Sequence, residues 1–271
     1  MKMNKWRYIP FHEYSGYLNM AIDELLLDQV INNQKPNTLR FYKWNPSTAT
    51  IGAHQSINAE VDLNFAKDNK IQVVRRITGG GAVLHDHVSE ITYSIICKIS
   101  DIPKQLNTSR IYSADIPTRY HPILESLATG LELIGIPIDI GKIHCPALFI
   151  EGMKISGNAQ LIRNGVLLQH GTILLDVNPD FMYRVLKAPE GVSYTRMVQS
   201  VRSKVTGIKK YILSKNGDIS DVEITEKLKK GFANVFNADF VSESLSSVDF
   251  QKINDLAINK YSSDKWLLKY E

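Results

Sequence analysis

The chain has 271 residues, of which 44% are hydrophobic and 22% are charged, a composition typical of a single large globular domain. Lys and Arg number 32 and Asp and Glu 28, and the net charge of +4 is too small to indicate nucleic-acid binding. Two cysteines do not make a disulfide framework, and no apolar run reaches the length of a membrane span. We therefore expect a cytoplasmic protein with neither a nucleic-acid nor a membrane partner.

Hydrophobic periodicity predicts a mixture of strands and helices along the chain. In order, these are a helix over 19–30, strands over 39–44 and 48–51, a helix over 59–69, strands over 71–74 and 90–98, a helix beginning near Pro122, a hairpin over 148–157, a strand over 166–175, and helices over 179–186, 219–236 and 248–261. The first helix is expected to be amphipathic, with Asp23 and Glu24 on its polar face, whereas residues 192–211 show no clear period. Strands clustered in hairpins among helices indicate the α+β class. We expect one domain over 1–271, with a helical portion around 216–271.

Three consecutive glycines, 79–81, follow a predicted strand and the pair Arg75-Arg76. Glycine lets the backbone approach a ligand closely, and successive backbone amides in such a loop can bind an anion. The two arginines supply permanent charge for a phosphate or a carboxylate. The loop is neither a Walker loop nor a dinucleotide fingerprint. A plain tight turn would explain the glycines equally well, but the arginine pair and the neighbouring His85-Asp86 favour a binding site.

Several sequence blocks resemble the lipoate-protein ligase A family, within a superfamily that also contains biotin-protein ligases and octanoyltransferases. The blocks, in family order, are NMAxDE at 19–24, WxP at 44–46, IGxxQ at 51–55, RRxTGGGAVxHD at 75–86, KISGNAQ at 154–160, QHGTILL at 169–175 and KYxSxxW at 260–266. Together they extend over nearly the whole chain, which makes the resemblance far more specific than any single block. The resemblance implies a mixed β-sheet flanked by helices.

The resemblance also implies an activity. Family members attach lipoate or octanoate to one lysine of a lipoyl carrier domain, as in 2-oxoacid dehydrogenase complexes or the glycine cleavage H protein. Activation through an acyl-adenylate would require ATP and Mg²⁺. We therefore predict an ATP-dependent lipoate-protein ligase. We expect no C-terminal accessory domain of the kind found in larger ligases, so a separate small accessory subunit is a further expected partner.

The resemblance assigns roles to individual residues. Lys154 would contact the acyl carbonyl or phosphate oxygen as charge develops during attack, although a lone hairpin lysine is more often merely solvated. The residues expected to bind the acyl-adenylate are Gln55, Arg76, Thr78, Gly79, Gly80, Gly81, Ala82, His85, Asp86, Gly157, His170 and Gly171. Gln55 would border the acyl group, and Asp86 would order the glycine loop by accepting amide hydrogen bonds. No set of metal ligands is identified. The basic pair Arg202 and Lys204 is the predicted docking point for an acidic carrier domain.

The sequence departs from the ligase pattern just before the lysine hairpin. Many ligases carry an Asn-Asp pair there, whereas this chain has Cys145-Pro146. The alternative function is a thiol-dependent octanoyl or lipoyl transferase, in which Cys145 is the nucleophile and ATP is not needed. We rank it second because Cys145 lies closer to Lys154 than in the cysteine-dependent branches. A biotin-protein ligase and a non-enzymatic carrier-binding scaffold are further alternatives. Cys97, within an apolar run, is expected to be a buried core thiol.

Overall fold

The computed structural model describes residues 4–112, 115–141, 146–216 and 219–271. Its strands are β1 (Asn4–Tyr14), β2 (Thr38–Trp44), β3 (Thr48–Ile51), β4 (Gln72–Arg75), β5 (Val83–His85), β6 (Glu90–Lys98), β7 (Asp139–Ile140), β8 (Leu148–Ile150), β9 (Met153–Lys154), β10 (Ser156–Arg163), β11 (Val166–Leu174) and β12 (Ala238–Ser242). Its α-helices are α1 (Gly16–Ile31), α2 (Ile57–Glu60), α3 (Leu63–Asp68), α4 (His121–Glu132), α5 (Pro179–Val185), α6 (Tyr194–Lys204), α7 (Lys209–Asn216), α8 (Asp221–Phe236), α9 (Ser247–Leu256) and α10 (Asp264–Leu267). A π-helical turn, Ala257–Tyr261, continues α9.

The main sheet contains six strands in the described part of the chain, in the order β10-β11-β6-β2-β1-β12. β1 runs parallel to both of its neighbours, whereas the pairs from β2 to β10 are antiparallel. The sheet is therefore mixed, and helices cover it, so the predicted α+β class and the predicted mixed sheet are confirmed. β6 lies at the centre, and its β-branched and aromatic residues suit a strand that is buried on both faces.

The alternating residues of the central strands divide the core between the two faces of the sheet. Phe41 and Tyr93 belong to a buried cluster that contains α4 and α8. Tyr42 and Ile96, which lie on the same two strands but on the opposite face of the sheet, belong to a second cluster that contains α1 and α9. Cys97 is fully buried in the first cluster, as predicted, and burial raises the pKa of its thiol far above the usual value.

Strands β1 and β12 were not predicted from the sequence. β1 has a buried arginine, Arg7, whose Nη1 donates to Gln29 Oε1 at 3.0 Å and whose Nη2 lies 3.7 Å from Asp249 Oδ2. A charged residue inside the sheet breaks the alternating pattern by which a strand is detected. β12 lies within the portion around 216–271 that was expected to be helical, and it pairs with β1 in the main sheet. This portion is thus built into the main sheet.

Helix α1 is the central helix of the second cluster, and its predicted exposed polar face is wrong. Asp23 is 1% exposed and Glu24 is 7% exposed. Both carboxylates are paired with cations inside the protein: Asp23 forms an ion pair with Arg40, and Glu24 accepts hydrogen bonds from Lys260. Buried charges are tolerated when they are paired in this way, and sequence periodicity cannot distinguish a paired carboxylate from a solvated one.

Two smaller sheets stand beside the main sheet and shape the site. β3 is the middle strand of one, parallel to β4 and antiparallel to β5, and the glycine loop connects β4 to β5. The other contains the predicted hairpin, which is confirmed: β8 and β9 pair across the turn Glu151-Gly152, where both residues have positive φ, 50° and 78°. That is the backbone conformation of a tight two-residue hairpin turn.

Two predicted segments differ in detail. The helix expected over 59–69 is two helices, because Asp62 caps the second by accepting from the Phe65 amide at 2.9 Å. Residues 192–211, which showed no period, contain α6 and the start of α7. α6 buries only Val198 and Val201 against the rest of the protein, so its apolar stripe is too narrow to be seen in the sequence.

Candidate active site

A cleft of about 380 Å³ lies between the glycine loop and the strands β10 and β11, of which β10 is an edge strand of the main sheet. Helices α5 and α6 close one side of it, and α1 and β2 contribute its most deeply buried apolar residues, including Met20 and Trp44. The sequence-predicted residues that line it are Arg76, Gly80, Gly81, Ala82, His85, Lys154, Gly157, His170 and Gly171. Blocks that are far apart in sequence therefore meet in one apolar cavity with a few polar groups, the usual character of a small-molecule site.

The glycine loop folds around the guanidinium group of Arg76. Its Nη2 donates to the carbonyls of Gly79 and Gly81, both at 2.7 Å, and Nη1 donates to Thr50 Oγ1 at 3.0 Å. In the described ranges, the amides of residues 79–81 donate no hydrogen bond. With its carbonyls bound to Arg76 and its amides free, the loop can offer donors to a carbonyl or anionic oxygen of a ligand.

Arg76 is an isolated buried cation. It is 4% exposed, and burial lowers the pKa of its guanidinium group to about 10. It remains charged at neutral pH, and no carboxylate pairs with it among the residues that the structure describes. An uncompensated positive charge in a desolvated cleft favours the binding of an oxygen that carries or develops negative charge.

Gly80 is the position in this loop where a side chain is least tolerated. Its φ is +92°, and a Cβ there would lie 3.1 Å from Arg76 Nη2. We expect Gly80→Val to weaken the binding of an octanoyl thioester analogue about tenfold or more, because the left-handed backbone costs about 1–3 kcal/mol for a β-branched residue and the guanidinium must shift. Titration calorimetry and a melting curve measure the two effects separately.

Gly165→Val is the matched control for the Gly80 variant. Gly165 also has positive φ, +74°, but it lies at the tip of the β10–β11 hairpin, and a Cβ there meets nothing within 4 Å. We expect it to lose similar stability while keeping full affinity. Equal affinity in both variants would mean that the glycine loop is only a turn.

His170 connects the glycine loop to the core through a chain of buried polar groups. Its Nδ1 lies 2.9 Å from Asp23 Oδ2, and its Nε2 lies 2.7 Å from Thr78 Oγ1. Burial alone would raise the pKa of Asp23, but the charge of Arg40 and the His170 hydrogen bond outweigh it, and the pKa is lowered. The ionised carboxylate accepts from Nδ1–H, so Nε2 of a neutral His170 accepts from the Thr78 hydroxyl.

The environment of His170 keeps the ring neutral. Burial is the main cause that lowers its pKa, and the nearby charge of Arg76 adds to it, whereas Asp23 opposes the shift. Thr78 has no exposed surface and supports the wall from behind. The arrangement of carboxylate, imidazole and hydroxyl resembles a catalytic triad, but a fully buried hydroxyl is not accessible to an acyl group.

His85 forms a second histidine–carboxylate pair in the wall of the cleft. Its Nδ1 lies 2.6 Å from Glu90 Oε1 and its Nε2 lies 3.0 Å from Thr50 Oγ1. Its ring stacks on Trp44 with centroids 4.1 Å apart. His85 and Thr50 belong to the small sheet, through β5 and β3. Glu90 and Trp44 belong to the main sheet, through β6 and β2. His85 therefore joins the two sheets at the cleft.

Lys154, on β9, also lines the cleft. Its backbone is held by a bridge to Val205, and its carbonyl accepts from the Thr206 amide at 2.9 Å. The side chain is partly buried, and its ammonium group makes no hydrogen bond or ion pair within the part of the chain that the structure describes. A fixed backbone with a free, cleft-lining ammonium group is suited to contact a ligand oxygen.

Asn158 is a cleft residue whose role the sequence analysis did not single out. Its Oδ1 accepts from Tyr93 Oη at 2.7 Å, and its Nδ2 donates to the carbonyl of Pro146 at 2.5 Å. A Cβ on Gly171 would lie 2.2 Å from that Oδ1, so glycine is required opposite Asn158. Pro146 follows Cys145, which itself lies outside the described residues. The only sequence signal for Asn158 was its place inside the KISGNAQ block.

Five residues predicted to contact the ligand lie outside the cleft lining: Thr78 and Gly79, whose contacts are described above, and three others. Arg75 was expected to supply charge to a ligand, but its guanidinium group donates to the carbonyls of Gln55 and Leu267, each at 2.6 Å, and thereby fixes the C-terminal segment. The Gln55 side chain accepts from the Gly52 amide at 2.8 Å and lies outside the cleft lining. Asp86 accepts from the amides that follow it, at 88 and 89, and so orders the next turn rather than the glycine loop.

No group of three or more His, Cys, Asp or Glu side chains that could hold a metal ion occurs in the described ranges. Within the same ranges, no helix is long and apolar enough to cross a bilayer.

The fold and the cleft define the class of protein. A model of the lipoyl protein ligase A/B catalytic domain matches residues 15–233 of the chain. The chain therefore belongs to this family, as its sequence blocks predicted, and it is an enzyme rather than a non-catalytic carrier-binding scaffold.

Curated relatives match over nearly their full length. They include octanoyltransferase LipM of Clostridioides difficile, which is 34% identical over 97% of this chain and 98% of the relative. The LipM of Brevibacillus brevis is 32% identical over 98% of this chain and 100% of the relative. The LipM of Bacillus subtilis is 30% identical over 99% of this chain and 100% of the relative.

Solved structures show the same fold at lower sequence identity. A bi-partite lipoate protein ligase from an archaeal lipoylation system of Thermoplasma acidophilum superposes with a TM-score of 0.80 and 24% identity, covering 99% of this chain and 98% of that chain. A lipoate-protein ligase A bound with ATP superposes with a TM-score of 0.79 and 23% identity, covering 98% and 100%. These structures confirm the predicted fold.

The relatives also correct the predicted reaction. The leading prediction, an ATP-dependent lipoate-protein ligase, is wrong, because the curated relatives at 30–34% identity over nearly the whole chain are named octanoyltransferases. The alternative that was ranked second agrees with them. The short spacing between Cys145 and Lys154, which decided the ranking, was therefore a poor criterion. ATP and Mg²⁺ were predicted as cofactors of that ligase only.

Proposed function

We propose that the protein is a thiol-dependent octanoyltransferase, which moves an octanoyl group from a carrier thioester to a lysine of a lipoyl carrier domain. The observation that carries the proposal is the hydrogen bond, 2.5 Å long, between Asn158 Nδ2 and the carbonyl of Pro146. It ties the residue next to Cys145 to the wall of the cleft that contains Lys154 and Arg76. The names of the full-length relatives support the same reaction.

The proposed chemistry has two acyl-transfer steps. The Cys145 thiol gives up its proton and attacks the carbonyl carbon of the donor thioester, a new C–S bond forms, and the donor C–S bond breaks, so that the departing donor thiolate takes up a proton and leaves as the thiol. The amine of the acceptor lysine then attacks the enzyme thioester, an amide C–N bond forms, and the Cys145 thiol is regenerated by the proton that the amine loses. A thioester is already activated, so the reaction consumes no ATP.

Charged and polar groups of the cleft would stabilise each tetrahedral intermediate. The free ammonium group of Lys154 and the unpaired amides of residues 79–81 can donate to the developing oxyanion, and the Arg76 charge supports them. The apolar residues at the bottom of the cleft, among them Met20 and Trp44, would surround the octanoyl chain. His85 and His170, each held between a carboxylate and a threonine hydroxyl, would hold the walls in place.

The proposed reaction requires two protein partners. The acceptor is a lipoyl carrier domain, of a 2-oxoacid dehydrogenase complex or of the glycine cleavage H protein, and the donor is an octanoyl carrier protein. A preformed thioester needs no separate activating subunit. A reducing cytoplasm would keep the nucleophilic thiol free.

Intact-protein mass spectrometry tests this function. The wild-type chain is mixed with octanoyl carrier protein in the absence of ATP, and a lipoyl domain is then added. We expect one octanoyl group on the enzyme, which disappears as the lipoyl domain gains it. Modification of the lipoyl domain only when ATP and free octanoate are supplied would contradict the proposal.

A further inference from the structure

The net positive charge of the chain falls in one segment, which also contributes residues to the cleft lining. Residues 176–210, from the end of β11 to the start of α7, contain seven Lys and Arg residues against three Asp and Glu residues, a balance of +4. This equals the net charge of the whole chain, +4, so the rest of the chain is electrically balanced. All seven basic residues are exposed. We call these exposed cations of residues 184–210 the basic rim.

The basic rim is largely free of intramolecular partners. Arg202 pairs with Asp180 at 2.6 Å, and it is the only rim residue in an ion pair among the described residues. Lys187 donates to the carbonyl of Asn58 at 2.7 Å. Unpaired surface cations contribute little to the stability of a monomer, so their concentration in one segment beside the cleft indicates a role in recognition.

The rim lies beside the opening of the cleft. Gly80 and Gly81 are the most exposed of the cleft-lining residues and mark that opening. Tyr183 and Val205 line the same cleft, and they directly neighbour the rim residues Arg184 and Lys204 in sequence. A carrier that presents an acyl group to the cleft must cover this opening and must therefore contact the rim.

We propose that the basic rim docks acidic protein domains, and that donor and acceptor carriers occupy it in turn. This inference rests on the octanoyl transfer proposed above. The acyl group enters and leaves through the same opening at the glycine loop, so the emptied donor carrier must leave before the acceptor docks. Tyr194, 41% exposed on α6, adds an aromatic contact of the kind enriched in protein interfaces. The net charge is too small to indicate nucleic-acid binding, so we favour a protein as the partner.

The double charge reversal Arg196→Glu/Lys204→Glu tests the rim. Neither side chain forms an ion pair within the described ranges. We expect kcat/KM for the octanoyl carrier and for the lipoyl domain each to fall about tenfold or more at low salt. The reason is that reversing these charges slows the encounter between the enzyme and an acidic carrier. The difference from wild type should shrink at high salt. The rate of acyl-enzyme formation from an octanoyl thioester of a small thiol should be unchanged.

Lys230→Glu/Lys252→Glu is the matched control, since it changes the net charge equally at exposed positions on α8 and α9, outside the cleft lining. We expect this control to behave like wild type with both carriers.

Equal kinetics of the two double variants would overturn the inference. Impairment with only one carrier would overturn the shared use of the rim. Displacement of both carriers by a stoichiometric oligonucleotide at physiological salt would assign the rim to nucleic acid instead. A wild-type chain that transfers nothing would refute the proposed function itself, independently of any rim variant.

Discussion

Replacing Lys154 with alanine is expected to lower kcat for octanoyl transfer by on the order of 10²–10³, the usual effect of losing one donor to a developing oxyanion. The ammonium group lines the cleft and makes no other polar contact in the described ranges, so its removal should leave the fold intact. Stopped-flow or quenched kinetics with octanoyl carrier protein measure the loss, and a melting curve measures stability.

Two further variants separate the charge of Lys154 from its position. Lys154→Arg keeps a cation but spreads it over a planar fork, so we expect partial recovery of kcat. Lys67→Ala removes an exposed lysine of α3 that lies outside the cleft lining, and it should match wild type. A Lys154→Ala enzyme with wild-type turnover on the lipoyl domain would show that this lysine is only a hairpin residue.

The sequence predicted the elements whose hydrophobic pattern is regular and missed those with a buried charge. The central strand β6 was predicted with its observed bounds, because its β-branched run has no other plausible structure. β1 was missed because Arg7 is buried among partners from α1 and α9. The same cause made Asp23 look solvent-exposed on α1. Charges from distant segments pair only in the folded protein, so a local sequence pattern cannot predict the pairing.

The candidate site shows the same division between local and tertiary information. Glycine positions were predictable, since a run of glycines signals backbone freedom that Gly80 indeed uses at φ +92°. Adjacent Arg75 and Arg76 were indistinguishable in sequence, yet strand alternation sends one guanidinium to the C-terminal segment and the other into the glycine loop. Asn158 was overlooked because its importance arises from its contact with Pro146, which no spacing reveals.

Replacing Cys145 with serine has the largest expected effect, a loss of octanoyl transfer on the order of 10⁴-fold or more, as when the nucleophile of a covalent enzyme is removed. A serine hydroxyl is a weak nucleophile without an adjacent base, and it cannot form the thioester that the acceptor lysine attacks. Intact-protein mass spectrometry should show no octanoyl adduct on the variant. Binding of the octanoyl carrier should persist, because the cleft and the basic rim are unchanged.

Cys97 provides the matched control, because the chain has two cysteines and this one is fully buried in the core. Burial raises the pKa of its thiol, so it holds no thiolate at neutral pH and should not react. Cys97→Ala should therefore lose some stability, since it leaves a small cavity, while it retains acyl transfer and the octanoyl adduct. An adduct that maps to Cys97, or ATP-independent transfer by Cys145→Ser at the wild-type rate, would contradict the thioester mechanism. Transfer without any enzyme adduct would instead mean that the acceptor lysine attacks the donor thioester directly in the cleft.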